Sequence, residues 1–301
     1  MPLSQDLHFD VIGLGEVLWD CFPEHRLPGG APANVAFQAQ QLGLTAAVAT
    51  RVGDDALGDE LIGFLRQQGL NTALVQRDVE HGTGTVTVEL SPTGTRYEFL
   101  ENSAWDFLAD SDDWLTAARH AKAICFGTLA QRQARSRETI QAILRATSPG
   151  CLVVYDVNLR PPFYQREWIH ESLRQATIVK LNDDEVRILA AMFSTHTTTE
   201  DEFARWLIET YHVRLVCITR GAKGALAVSP EELCEVAGIP ITVADTVGAG
   251  DAFTAALIWS QLQQWPLKRA LTLANRLGAL VASRPGAMPV LGQEIQQLIA
   301  D

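Results

Sequence analysis

The chain has 301 residues, 47% of them hydrophobic, so it is long enough to bury a full core in one large domain or two small ones. Acidic residues outnumber basic ones by 36 to 24, and the formal net charge is −12. A nucleic-acid partner is not expected, because a chain of this charge would repel the phosphate backbone.

Cysteine usage and the first segment predict a cytoplasmic protein. The five cysteines are widely spaced and form no CxxC pair, which argues against a disulfide framework or a structural zinc site. Acidic residues interrupt the first segment, so no secretory leader is expected there. A membrane partner is not expected either, because no apolar run approaches the roughly 18 residues that a membrane span needs.

Strand-like and helical segments alternate along most of the chain. Residues 9–14 are typical of a buried strand, and residues 32–43 of an Ala-rich helix. The pattern continues with strands at 46–52, 123–126, 152–156, 178–181 and 215–219 and helices at 59–68 and 136–146. This alternation predicts an α/β fold of three layers, in which helices cover both faces of a mainly parallel sheet.

One stretch departs from this pattern. Residues 83–90 and 95–100 alternate strictly between apolar and polar positions, and Ser-Pro-Thr-Gly separates them, which predicts a β-hairpin. The hairpin could form an antiparallel edge of the main sheet, but a small separate sheet that acts as a lid is the favoured interpretation. No internal repeat or long linker divides the chain.

Two segments in the first half carry residues suited to binding. Gly29 and Gly30 precede the first predicted helix, where they let a ligand approach the backbone, and Asn34 places an amide at the helix start. A turn capped by Asn34 would give the same pattern. Arg160, within the segment DVNLRP, follows a predicted strand and suits a phosphate or a carboxylate. A surface ion pair would explain Arg160 equally well.

Two further segments follow later strands. In KLNDDE, Asn182 and Glu185 are three residues apart on one helical face, a pair that suits Mg²⁺. Their spacing alone favours a capping box, with Asn182 as the cap and Glu185 reaching back. In TRGAKG, Gly221 and Gly224 suit either a nucleotide-binding loop or a hairpin turn.

The segment DTVGAGDAF runs directly into an apolar helical pattern. Gly248 and Gly250 let the backbone turn with its N–H groups outward, and the helix start favours an anion. Asp251, in the first turn, is placed to take a proton from a substrate hydroxyl. A simple helix N-terminus with an acidic residue near its cap is the alternative, and the segment alone does not decide between the two.

Together these segments indicate a family. Each polar or glycine-rich segment lies just after a strand, so a shared site at one sheet edge is expected. In order and spacing the chain resembles the ribokinase-like carbohydrate kinases, the PfkB family, through GGAPAN, DVNLRP, KLNDDE, TRGAKG and DTVGAGDAF. The resemblance covers nearly the whole chain. It implies a single ribokinase-like domain over 1–301, with a β-sheet lid formed by residues 15–30 and 83–104.

The resemblance also implies roles for individual residues. Asp251 would be the general base, and the turn of Gly248, Ala249 and Gly250 would form the anion hole for the phosphoryl group. The nucleotide, ATP, would contact Asn182, Thr219, Arg220, Gly221, Gly224 and Asn275, and Glu185 would act on Mg²⁺ through water. The sugar would contact Asp20, Gly30, Asn34 and Arg160. Asp245 and carbonyls around Arg284 and Gly286 match the K⁺ loop of some members.

The start of the chain is most similar to the fructokinase branch, with GEVLWD at 15–20 followed by GGAPANVA. One position departs from that branch, because Glu101 stands at the lid exit where fructokinases usually carry an Arg. Fructose is the favoured substrate, while ribose, tagatose, 2-keto-3-deoxygluconate and adenosine stay open. A non-catalytic sugar or nucleotide sensor is the alternative from another class. The free edge of the lid suggests a homodimer.

Overall fold

The computed structural model describes residues 7–91 and 94–300. The strands in these ranges are β1 Val11–Leu14, β2 Leu18–Cys21, β3 Arg26–Gly29, β4 Ala46–Gly53, β5 Val75–Asp78, β6 Thr85–Ser91, β7 Gly94–Phe99, β8 Ala123–Phe126, β9 Leu152–Asp156, β10 Ile178–Asn182, β11 Leu215–Thr219, β12 Ala225–Val228 and β13 Leu233–Val236. The helices are α1 Ala31–Gln41, α2 Ala56–Gln67, α3 Asp112–His120, α4 Ala134–Arg145, α5 Arg166–Gln175, α6 Asp183–Phe193, α7 Glu200–Tyr211, α8 Ala249–Leu262, α9 Leu267–Ala282 and α10 Gln293–Ala300.

The larger sheet has nine strands in the order β13-β12-β11-β10-β9-β8-β1-β4-β5. The strands from β11 to β5 pair in parallel, and only β12 and β13 are antiparallel within this described sheet. The chain first extends the sheet from β1 towards β5 and then from β8 towards β13. The order therefore reverses between β1 and β8, which is where open α/β sheets form ligand crevices.

Apolar side chains fill both faces of this sheet. In β1, Ile12 and Leu14 pack into one buried cluster, whereas Val11 packs into the other. Because successive side chains of a strand point to opposite faces, the two clusters are the two interfaces of a three-layer structure. Helices α1, α8 and α9 contribute to one cluster, and α3 to α7 contribute to the other. The predicted α/β architecture, with helices on both faces, is confirmed.

Predicted helix boundaries were a few residues late. Helix α2 starts at Ala56, three residues before the predicted start, because the Asp55 side chain accepts a hydrogen bond from Gly58 N and caps the helix. The remaining predicted strands and helices fall within a few residues of their expected positions. In the part of the chain that the structure describes, no helix is long and apolar enough to cross a membrane.

A second, four-stranded sheet stands apart from the first, in the order β3-β2-β6-β7. Strands β6 and β7 form the predicted hairpin, with Val86 opposite Phe99. Residues 92–93 of its predicted turn lie outside the described residues. The favoured interpretation of a separate sheet is confirmed, and the alternative of an antiparallel edge of the main sheet is wrong for this hairpin. Strands β12 and β13 form that edge instead.

Candidate active site

The structure brings the predicted site segments to the carboxyl edge of the main sheet. The segments after β1, β9, β10 and β11 all leave the sheet at this edge, because these strands are parallel. Helix α1 packs against α8, and this places Asn34 beside Asp251 although they are far apart in sequence. The Asn34 amide Nδ2 donates a hydrogen bond of 2.7 Å to Asp251 Oδ2.

The turn before α8 depends on Gly248. Its φ is 79°, in the left-handed region, and a Cβ there would lie 2.7 Å from Ala287 Cα. A larger residue would be strained and would also push the turn away from Ala287. Because Gly248 is the N-cap and has no side chain to bond, the first turn of α8 has no side-chain cap. The turn is thus suited to an anion at the helix start.

Asp251 is a buried carboxyl group in this first turn, with 9% of its surface exposed. Burial, and then the charge of Asp156, raise the pKa of Asp251 to about 6, against the lowering effect of the Asn34 hydrogen bond. A base with a pKa somewhat below neutral is ionised at neutral pH yet able to hold a proton. Asp251 therefore has the properties of a general base.

A buried polar network lies beside Asp251, and the sequence had not indicated it. Lys180 Nζ lies 3.1 Å from Asp156 Oδ1, and Thr254 Oγ1 donates a hydrogen bond of 2.8 Å to Asp156 Oδ2. Burial acts to lower the pKa of Lys180, but Asp156 and neighbouring carboxylates outweigh it and raise that pKa. The available signal was Lys180 itself, a charged residue inside the apolar strand IVKLN.

Glu16, Asp20 and Asp251 all lie within electrostatic reach of the exposed Arg160, on the side of the site where the sugar is predicted to bind, the acceptor side. Burial raises the pKa of Glu16 to about 7 and that of Asp20 to about 6, and Arg160 lowers both. Glu16 is 3% exposed, and its Oε2 has no hydrogen-bond partner among the described residues. Asp20 and Arg160 were predicted, whereas Glu16 was not. Gly30 has no room for a side chain, because a Cβ there would lie 2.4 Å from Glu16 O.

An open cleft of about 540 Å³ lies on the other side of the anion-binding turn. Predicted residues in its lining are Thr219, Gly221, Gly224, Ala249, Gly250 and Asn275. The remaining lining is mostly apolar and includes Ile239, Ile241, Val243 and Phe253. The segment 239–243 lies in neither a strand nor a recognised motif, so sequence reasoning missed it. Asn275 Nδ2 donates to Ala237 O at 2.9 Å, which links α9 to the chain just before this segment.

Two predicted nucleotide residues lie outside the lining of this cleft. Arg220 forms ion pairs with Glu200 at 2.5 Å and with Glu235, so its guanidinium holds the loop after β11. Asn182 caps α6 by accepting from Glu185 N at 2.8 Å. The loop joins β11 to the antiparallel β12, so it is the predicted hairpin turn. Its residues Gly221 and Gly224 also line the cleft.

Glu185 completes the predicted capping box. Its Oε2 accepts from Asn182 N and its Oε1 from Leu159 N, each at 2.8 Å. Each oxygen of the buried carboxylate therefore accepts a backbone amide. Each oxygen keeps a lone pair that can accept from a water bound to Mg²⁺.

Asp245 hydrogen-bonds to two loops beside the turn 248–250. Its Oδ1 accepts from Val247 N at 2.9 Å and its Oδ2 from Gly286 N at 3.1 Å. The segments predicted to surround K⁺ are therefore adjacent. Among the described residues there is no group of three or more His, Cys, Asp or Glu side chains that could hold a metal ion.

These features define a class of protein. A buried carboxyl group, a helix start suited to an anion and an open cleft share the carboxyl edge of a doubly wound sheet, a combination that suits a phosphotransferase. A model of the pfkB family carbohydrate kinases matches residues 10–292, and the chain belongs to this family. It is accordingly a sugar phosphotransferase with a ribokinase-like fold.

Two curated relatives, both named fructokinase, align with nearly the whole of this chain. The chain is 30% identical over 296 residues to the fructokinase of Escherichia coli, which covers 92% of this chain and 94% of the relative. It is 31% identical over 309 residues to the fructokinase of Vibrio alginolyticus, covering 94% and 96%. The relatives therefore match this chain almost end to end.

Solved structures of related kinases share the fold. A fructokinase of Vibrio cholerae O395 with bound fructose, ADP and calcium has a TM-score of 0.81 at 26% identity, over 97% of this chain and 99% of that one. A fructokinase of Xylella fastidiosa with bound ATP gives 0.85 at 23% identity, over 96% and 98%. A 2-dehydro-3-deoxygluconokinase of Thermotoga maritima gives 0.86 at 21%, over 98% and 100%. Similar folds thus serve different sugars.

Proposed function

We propose that the chain transfers the γ-phosphoryl group of MgATP to a primary hydroxyl of an uncharged sugar, with fructose as the favoured acceptor. The observation that carries this proposal is the buried Asp251 carboxyl, which lies between an acidic acceptor side and an open cleft. Fructokinase relatives at about 30% identity support fructose.

Asp251 is the proposed base. It takes the proton of the acceptor hydroxyl as the oxygen attacks the γ-phosphorus, and the bond to the bridging oxygen of ADP breaks. The amides of Gly248 and Gly250 would face the phosphoryl oxygens, and the helix start adds a partial positive charge. The Ala249 amide donates a hydrogen bond of 3.3 Å to Thr246 O and would have to exchange that bond to join them. Mg²⁺, when bound near Glu185 through water, would neutralise phosphate charge. Asn34 keeps the base oriented through its 2.7 Å hydrogen bond.

The charges of the acceptor side favour a neutral sugar over a sugar acid. The charge of Arg160 acts on Glu16, Asp20 and Asp251 together, yet burial still raises the pKa of each acid, so Arg160 does not offset all three. Glu101 is exposed at the end of the lid hairpin and adds another negative charge at its exit. An acceptor carboxylate would therefore meet repulsion. These charges disfavour 2-keto-3-deoxygluconate, although the fold is shared with an enzyme for that sugar class.

The four-stranded sheet is the proposed lid. Strand β2 carries Asp20 and pairs with β6 of the hairpin, so movement of this sheet would move an acceptor residue with it. Closure would exclude water, which is a competing acceptor for the phosphoryl group. The sensor alternative is disfavoured, because a non-catalytic protein would not need to keep Asp251, the Asn34 amide bonded to it and the glycine turn before α8 together.

The test is ADP release by the purified protein from MgATP with fructose, ribose, tagatose, 2-keto-3-deoxygluconate, adenosine or no sugar. We expect the highest kcat/KM with fructose and only background turnover without sugar. Preference for the sugar acid would contradict the charge argument. Silence with every acceptor, together with retained ATP binding, would favour the sensor.

Glu101→Arg provides a matched test of the acceptor charge. We expect this variant to raise kcat/KM for 2-keto-3-deoxygluconate relative to fructose by about tenfold, since it exchanges repulsion for attraction at the lid exit. Glu209→Arg makes the same charge change at an exposed position of α7, outside the lid, and should leave the ratio near the wild-type value.

A further inference from the structure

Asp156 and Lys180 open two of the sequence motifs, yet neither has a part in the transfer step above. Both are buried, with 2% and 6% of their surfaces exposed, and their charged atoms lie 3.1 Å apart. A buried ion pair is costly to desolvate, and apolar residues of similar volume often replace one without loss of stability. Stability alone is therefore a weak explanation for this pair.

The pair is connected to the anion-binding turn from one side by hydrogen bonds. Asp156 Oδ2 accepts from Thr254 Oγ1 at 2.8 Å. The same hydroxyl lies 3.0 Å from the carbonyl oxygen of Gly250, one turn earlier in α8. The hydroxyl has one proton for these two acceptors, so Thr254 links Asp156 to helix α8 within one turn of Gly250.

Lys180 reaches the same turn directly. A Cβ added at Gly250 would lie 3.0 Å from Lys180 Nζ, with no backbone atom nearer. The ammonium group therefore lies against the Cα of Gly250, in the space that a side chain would otherwise occupy. Gly250 has a use beyond turn formation, since it lets a positive charge approach the anion hole.

We propose that Lys180 is a positioning residue for phosphoryl transfer, which places a fixed positive charge beside the turn 248–250, and that Asp156 holds it there. The inference rests on the proposed role of this turn in binding the γ-phosphoryl group. Lys180 exchanges no proton. Asp251 takes the hydroxyl proton, and the Lys180 charge stabilises the negative charge on the phosphoryl oxygens as one P–O bond forms and the other breaks.

The test separates the charge of Lys180 from its structural effect. Lys180→Met leaves Asp156 buried without its partner, so it should lower both Tm and kcat. The double variant Lys180→Met/Asp156→Asn removes both charges and should recover most of the Tm. We expect its kcat to stay about a hundredfold below wild type, with KM for both substrates little changed. Recovery of kcat together with Tm would show a structural pair only and would overturn the proposal.

A control pair lies at the opposite edge of the sheet. Lys122 Nζ is 2.7 Å from Asp10 Oδ1, at the amino ends of β8 and β1. Lys122→Met/Asp10→Asn removes the same two charges far from the anion-binding turn. We expect this variant to keep the wild-type kcat, and an equal loss of kcat in both double variants would contradict a local role for Lys180.

A binding measurement tests Lys180 even if the acceptor sugar is not the one proposed. Titration with MgAMPPNP and with MgADP, without sugar, gives the preference for a triphosphate. We expect this preference to fall about tenfold in the Lys180→Met/Asp156→Asn variant, because the γ-phosphate loses a nearby positive charge. An unchanged preference would overturn the proposal. Failure of the wild type to turn over any sugar would count against the proposed function alone.

Discussion

The two sides of the anion-binding turn, residues 248–250, are lined by different kinds of residue. The acceptor side holds the carboxyl groups of Glu16, Asp20 and Asp251 around one arginine, and burial raises the pKa of each acid. The nucleotide side is an open cleft lined by glycines and apolar side chains, with the amide of Asn275 at its wall. Under the proposed assignment, the acceptor is selected by charge and hydrogen bonding, and the nucleotide mainly by shape.

This difference has a physical basis. A buried carboxyl oxygen without a partner is costly, so Glu16 Oε2, which has none among the described residues, makes a polar substrate favourable at that place. An apolar cleft gains free energy from the area that a flat base covers, and it tolerates small changes in lining. Substitutions on the acceptor side should therefore affect chemistry and pH dependence. Substitutions in the cleft should affect the KM for ATP.

The largest expected effect is the loss of the base. Asp251→Asn keeps the size of the side chain and its place beside Asn34 but cannot take a proton. We expect kcat for sugar-dependent ADP release to fall about a thousandfold, within the range for a general base. Asp59→Asn, also in the first turn of a helix but exposed, is the matched control. Retention of more than a tenth of the wild-type kcat by Asp251→Asn would rule out this assignment.

A second effect concerns stability on the acceptor side. Burial raises the pKa of Glu16 from 4.5 to about 7, so ionisation of this carboxyl opposes folding above pH 7 and not below pH 4.5. Glu16→Gln should raise the free energy of unfolding by about 3 kcal/mol at pH 8, and progressively less as the pH falls.

Denaturant titrations at pH 8 and at about pH 4.5, the ordinary pKa of the group, measure this effect, with Glu24→Gln as the exposed control. An equal gain at both pH values would show that the variant acts through packing and not through ionisation of Glu16.

A third change is directed at the cleft. Ala279→Phe places a ring in the nucleotide cavity, so KM for ATP should rise about tenfold while kcat and KM for the sugar change little. Thr272→Phe, exposed on the same helix α9 and outside the lining, is the control. A comparable loss in sugar affinity would show that the two sides are not separable in the way proposed.

The smallest change is a shift in pH dependence. The Asn34 hydrogen bond lowers the pKa of Asp251, so Asn34→Ala should move the acid limb of kcat/KM to higher pH by about one unit. Asn71→Ala removes an amide whose oxygen accepts from Ala73 N within its own turn, the one side-chain bond of Asn71 in the described part of the chain, and should not move the limb. A limb in the same place for Asn34→Ala would mean that the amide does not influence the base.

Much of the fold could be predicted from local patterns. Apolar runs and Ala-rich periodic segments are sufficient for the strands and helices, and strict alternation is sufficient for the hairpin β6–β7. The position of α2 was less predictable, because it depends on one cap at Asp55. The site residues that follow strands were also found, since parallel strands end at a common edge.

Other parts depend on contacts between distant segments. The pair of Asp156 and Lys180 spans 24 positions, and the hydrogen bond from Thr254 to Asp156 spans 98, so no local pattern contains them. The apolar segment 239–243 is irregular and carries no motif, although it lines the cleft. Arg220 was assigned to the nucleotide, but its acidic partners Glu200 and Glu235 could be identified only in the folded chain.

The central claim is that the buried Asp251 carboxylate takes the proton of the acceptor hydroxyl. The most direct measurement is kcat/KM for the best sugar, at saturating MgATP, between about pH 5 and pH 8. Because Asp251 must be ionised to act, kcat/KM should rise through a midpoint at about pH 6 and stay level above it. A profile that is flat through this range, or that falls as the pH rises past 6, would contradict the account.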